Sequence, residues 1–160
     1  MMTDSISQYP KELITFERVT EDSKDITKLI TVVHNEYEEA AVNVVINYQD
    51  AFNKRDATGC NALLNYPHVR LGMMKNKLVF TEKPPEITDK AFDWLVNDYG
   101  WNHSCWDYRN VIQSCESKVH CAIQFSRYRP DGSKIGTFPS FWVITNQDGH
   151  WGIKMRSSFA

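Results

Sequence analysis

A chain of 160 residues, 42% hydrophobic and 24% charged, is long enough to bury one core without metals or disulfides and has the composition of a soluble globular domain. Its formal net charge of −2, with Lys and Arg scattered among the acids, excludes the basic face that nucleic-acid binding requires. No apolar run reaches bilayer length, and MMTDSISQYPKELITFERVTEDSKD has early acids and no apolar h-region, so neither a membrane span nor a secretory signal is expected and a cytoplasmic location is the default.

In chain order, 1–34 reads as an N-terminal arm, polar and mixed at first with a strand-like stretch at 13–16, ahead of a single domain over 35–160. From Ile26 the apolar positions Leu29, Ile30, Val33, Tyr37, Ala41, Val44, Val45, Tyr48 and Phe52 trace one helical face, in one long helix or two joined near Asn35. Asp56 looks like the N-cap of a short helix over 57–64. Tyr66-Pro67-His68 breaks that helix, and a hairpin follows with strands at 69–71 and 78–80 and a turn near Lys75-Asn76-Lys77. Thr88 caps a third helix over 89–99, with Ile87 and Phe92 placed as a hydrophobic staple and Gly100 as C-cap. Four antiparallel strands complete the chain, at 105–114, 118–129, 135–146 and 150–158, the last three joined by Asp131-Gly132 and Asp148-Gly149. Helix, helix, hairpin, helix and meander make an α+β arrangement in which a curved sheet wraps around helices and encloses a pocket.

Both faces of 138–145 are apolar, with Phe138, Trp142 and Ile144 on one and Phe141, Val143 and Thr145 on the other. A strand of this kind must be covered twice. Helices cover one side, and a second subunit is expected on the other, giving a two-fold homodimer through the sheet. Cys60, Cys105, Cys115 and Cys121 lack zinc spacing. A two-residue loop at Ser117-Lys118 would set Cys115 opposite His120 and Cys121 opposite Ser114, on different faces, so buried reduced thiols are expected. There is no phosphate loop, no GxGxxG and no carboxylate cluster, and the spacing of His68, His103 and His120 gives no support for zinc, so no cofactor and no metal is expected.

YQDAFNKRD at the end of the first long helix, NYPHVRL entering the hairpin, WNHSCWD entering the sheet, and RYRPDGS with DGHWGIKMRSSFA in the meander resemble the NTF2-like superfamily in its SnoaL-like branch, over 42–160. The resemblance implies a cone of three helices packed on a curved antiparallel sheet. It leaves function open, because members include isomerases, dehydratases, lyases, polyketide cyclases and plain binding proteins. It also implies that Asp56, at the first helix junction, orients His103, at the start of a sheet strand, as a general base. The alternative readings are that Asp56 only caps its helix and that Ser104 holds the equivalent place.

His68, where the chain enters the sheet, is a second catalytic candidate, as acid or hydrogen-bond donor. Its alternative is a strand-end histidine bonded to backbone. Asp107 and Arg109 share one strand face and Trp106, Tyr108 and Asn110 the other, so only one set can line the cavity, and Trp106 with Tyr108 is the expected lining. Trp106 and Tyr108 suit a hydrophobic ligand, and Asp107 with Arg109 would anchor a carboxylate. Tyr48 and Phe52 project from the helix face that closes the pocket. The functional readings are a cofactor-independent acid–base enzyme on a small hydrophobic molecule, a non-catalytic binding module using the same pocket, and an interaction domain whose pocket is packed shut by Trp106, Phe125 and Met155.

Overall fold

The computed structural model describes residues 32–72 and 77–160. Helix α1 (Glu36–Asn53) begins at Asn35, whose side chain accepts from Tyr37 N at 3.1 Å and Glu38 N at 3.0 Å. Three acids in its first turn complement the positive end of the helix dipole. Asn35 is therefore the start of α1, and any helix upstream of it falls, like the strand-like stretch at 13–16, outside the described residues. Ala41, Val42, Val44, Val45 and Tyr48 form the buried face of α1 against the sheet. Full burial of an aliphatic side chain contributes about 1.5–3 kcal/mol, which is why this stripe and not local propensity fixes the helix.

Helix α2 (Ala57–Ala62) is short, because strand β1 (Leu64–Leu71) starts almost at once. Tyr66-Pro67-His68 thus lies inside a strand instead of ahead of one. The β1–β6 pairing shifts register between Leu64 and Val69, so Pro67 sits where the ladder is already irregular and its missing N–H is tolerated. Strand β2 (Leu78–Thr81) pairs antiparallel with β1. Helix α3 (Asp89–Asn97) buries Phe92 and Leu95 and ends sooner than expected, with Asp98 as its C-cap; Gly100, two residues further on, takes a φ of +67°, which suits a residue without Cβ. Ile87 and Phe92 both join the core, but the Thr88 side chain makes no cap bond.

Strands β3 (His103–Cys115), β4 (Lys118–Tyr128), β5 (Lys134–Gln147) and β6 (His150–Ser158) follow as a meander. The six-stranded sheet runs β2-β1-β6-β5-β4-β3. It is mixed and not purely antiparallel: β1 and β6 are parallel neighbours, since the chain leaves β1 and returns beside it in the same direction only after α3 and the meander. Gln147 pairs with His150 across Asp148-Gly149, both at positive φ, as a two-residue primed turn requires. The Asp131-Gly132 connection is longer, joining Tyr128 to Lys134. The β3–β4 turn is Glu116-Ser117, so Cys115 faces Lys118 and Cys121 faces Val111. The cysteines are free; Cys60 and Cys121 are buried, but Cys115 is exposed, because it stands at the hairpin tip.

Two bulges in β3, between Trp106 and Tyr108 and between Val111 and Gln113, break the strict alternation of faces. No helix among the described residues is long and apolar enough to cross a membrane.

Candidate functional site

Between α1, α3 and the inner face of the sheet lies a cavity of about 670 Å³. Helix α1 contributes Tyr48, Gln49 and Phe52; α3 contributes Ala91, Trp94 and Leu95; and β3, β4 and β5 contribute Trp106, Phe125, Phe138 and Trp142. Ser158 and Phe159 complete the wall where β6 ends. The rings interlock edge to face: Tyr48 meets Trp142 at 5.3 Å between centroids, Trp106 meets Trp142 at 6.0 Å, and Trp106 meets Phe125 at 6.2 Å. Trp106 and Phe125 therefore border open space and do not pack it shut, while Met155 pairs with Val143 on the opposite face.

The polar end of the cavity is built on Arg156. This buried guanidinium donates from Nη1 to Tyr48 Oη at 2.6 Å, from Nη2 to Glu86 Oε2 at 2.9 Å and from Nε to His68 Nε2 at 3.2 Å. Glu86 Oε1 also lies 3.3 Å from Arg70 Nε. Asn61 of α2 positions Glu86: its Oδ1 accepts from Glu86 N at 2.8 Å and Ile87 N at 3.0 Å, and its Nδ2 donates to Ile87 O at 2.7 Å. Both Glu86 and Arg156 are out of water, so removing Glu86 leaves Arg156 as an uncompensated buried charge, a loss of about 3–5 kcal/mol. Burial pushes the Tyr48 hydroxyl up to about 12 against the opposing pull of Arg156. Because Tyr48 Oη accepts from Arg156, its own proton remains available to donate.

The sequence-derived residues divide sharply. Tyr48, Phe52 and Trp106 stand in the cavity wall. Asp56 and His103 are not brought together. The exposed Asp56 carboxylate accepts from Gly59 N at 2.8 Å, capping α2, and His103 turns outward to stack on Tyr128 at 5.2 Å while its Nδ1 meets Asn102 Oδ1. The residue of this strand entrance that faces the cavity is Ser104. Asn53 grips its backbone on both sides, and its hydroxyl accepts from Trp101 Nε1 at 3.0 Å.

His68 is fully buried and absent from the cavity wall. Its Nδ1–H donates to the Ile153 carbonyl at 2.9 Å and its Nε2 accepts from Arg156, which fixes the neutral tautomer. Burial, reinforced by Arg156, holds its pKa down to about 4. With both nitrogens engaged, His68 bridges the Ile153 carbonyl and Arg156 and stands behind the cavity wall.

The first β3 bulge corrects the choice between Asp107/Arg109 and Trp106/Tyr108, because it splits both pairs. Trp106 and Arg109 share the helix side, where the guanidinium lies 5.7 Å from the Trp106 ring centroid. Asp107 points to the outer face and accepts from Ser126 Oγ at 2.8 Å, and Tyr108 pairs there with Gln124. Neither Asp107, Tyr108 nor Arg109 lines the cavity.

The pattern of the sequence does not single out Glu86, Arg127 or Arg156. A charged residue in an apolar strand is the available signal for Arg156, but the irregular register between Val143 and Ile144 hides which way it points. Arg127 lines the cavity with its guanidinium 4.9 Å from the Phe138 centroid and 5.5 Å from that of Phe125. Among the described residues no Asp, Glu or His side chain lines the cavity, and no cluster of His, Cys, Asp and Glu is arranged to hold a metal.

No protein-family model matches the chain, and no curated protein matches it. Solved structures do. An NTF-2-like protein of unknown function from Shewanella oneidensis is 12% identical, with 76% of this chain and 98% of that one covered and a TM-score of 0.57. A ketosteroid isomerase-like protein from Erwinia carotovora atroseptica is 14% identical, covering 79% and 97%, with a TM-score of 0.58. The association domain of Caenorhabditis elegans CaMKII is 13% identical, covering 76% and 94%, with a TM-score of 0.55. At these identities the likeness concerns the fold, and that fold is the NTF2-like one.

Proposed function

We propose that this chain is a small-molecule-binding module of the SnoaL-like branch, which holds a largely apolar ligand in the aromatic cavity. The observation that carries this reading is the wall itself. It encloses about 670 Å³, within the range of roughly 300–1,000 Å³ usual for ligand sites, and among the described residues it offers aromatic rings and cationic heads but no carboxylate or imidazole side chain to abstract a proton. The test is a titration with the neutral fluorophore N-phenyl-1-naphthylamine. One probe should bind per chain with enhanced emission, and Ala91→Trp, which fills the wall from α3, should weaken binding by about tenfold. No enhancement, or equal binding to Ala91→Trp, overturns the reading.

Tyr48 favours a second reading, a cofactor-independent isomerase, dehydratase, lyase or cyclase in which its hydroxyl polarises a ligand carbonyl. Such an enzyme would accelerate deuterium exchange α to the carbonyl of 2-tetralone, and Tyr48→Phe would abolish the acceleration without loss of probe binding. Exchange at the buffer rate in both proteins leaves binding as the function.

The outer sheet face supports a homodimer. Phe141, Ile112 and Met155 are 36%, 42% and 37% exposed there, beside Val143. A second copy related by a two-fold axis would cover this surface with its own.

A further inference from the structure

Arg70, Arg127 and Arg156 border the cavity, and Lys77 stands with them. Glu86 is the carboxylate bonded to Arg70 and Arg156, one negative charge against two guanidinium groups. Arg127 differs from both. It is bonded to no carboxylate among the described residues, its flat face rests on Phe125 and Phe138, and its buried Nε finds no acceptor. Trp142 Nε1 is a second buried donor in the wall without an acceptor. Trp106 contrasts with it, because Gln49, with its amide oxygen toward the indole, accepts from Trp106 Nε1 at 3.3 Å.

Buried donors are ordinarily paired, so these two leave the wall rich in N–H groups and poor in acceptors. A guanidinium stacked on rings still presents its edge, and that edge matches a carboxylate in geometry as well as charge. Low polarity around it strengthens the attraction. A neutral or cationic guest would leave Arg127 unanswered, and with Glu86 already shared the surroundings repel a cation.

We propose that the cavity takes an amphipathic organic acid, its flat apolar body against Trp106, Phe125 and Phe138 and its carboxylate on Arg127. This deepens the ligand-binding reading and rests on it. The carboxylate anchor is thus Arg127 on β4, and not the Asp107/Arg109 pair on β3.

Calorimetric titration with 2-naphthoate and 2-naphthylmethanol, which share a ring system and differ in charge, separates the two claims. The acid should bind one per chain and at least about tenfold more tightly than the alcohol, the scale of one charge-assisted contact. Arg127→Gln should erase that advantage, and Arg127→Lys should keep part of it. Equal affinities in the unaltered protein, or an advantage that survives Arg127→Gln, overturn the proposal while the cavity reading stands. Binding of neither compound overturns both. Should Arg127→Gln fail to fold, the nitrogen-15 resonance of Arg127 Nε in the unaltered protein decides: a shift with naphthoate and none with the alcohol supports the anchor, and no shift with either sinks it.

Discussion

His68 shows how a residue that reads as chemistry becomes structure. One ring nitrogen donates to Ile153 and the other accepts from Arg156, so protonation would place a cation against a guanidinium in a buried site. The unfolded ring titrates near 6.5 and the folded ring near 4. Between these values the unfolded chain binds the extra proton and acid favours it. The contribution is full above about pH 6.5 and is lost, by about 3 kcal/mol, as pH falls toward 4. Urea unfolding midpoints between pH 7 and 4 should therefore drop more steeply for the unaltered protein than for His68→Gln. Parallel pH profiles would show that the ring is not held neutral by the fold. Asp56 illustrates the same point from another side. Its capping bond accounts for it, so Asp56→Ala should cost about 1 kcal/mol of stability, read as a lower melting temperature, while probe binding stays unchanged. A loss of binding without a loss of stability would return it to the site.

At the level of elements, the helix faces and tight turns follow from neighbours a few residues apart. The stripe ending in Tyr48 and Phe52 needs only the helical repeat to be recognised, and Asp148-Gly149 closes its hairpin because both residues take positive φ. The position of a bulge depends instead on the partner strand. Asp107 is the extra residue opposite β4, and it alone sends Trp106 and Arg109 to one side and Tyr108 to the other. Strand β1 is a similar case: its first half has little β pattern and forms because β6 lies alongside it.

For the whole molecule, the unpaired apolar face makes assembly the next question. Phe141→Asp would set a carboxylate at the centre of the proposed interface, where burial without a partner is costly. Sedimentation velocity should show a dimer for the unaltered chain and a monomer for Phe141→Asp, with the circular dichroism of the two unchanged. A monomer in both would leave the outer face uncovered by its own copy.

The sequence alone determines the α+β class, the inward stripe of α1, the meander and the aromatic surplus that furnishes a cavity wall, because each is written in the spacing of adjacent residues. Only the tertiary structure decides what the cavity's polar end contains. Tyr48 and Arg156 meet across 108 positions of chain and His68 and Arg156 across 88, Glu86 is held by a loop that Asn61 clamps, and Arg127 stands in the cavity wall on Phe125 and Phe138. Such pairings are set by which strands become neighbours and by the charge and desolvation of groups brought together in space, and no local periodicity encodes them.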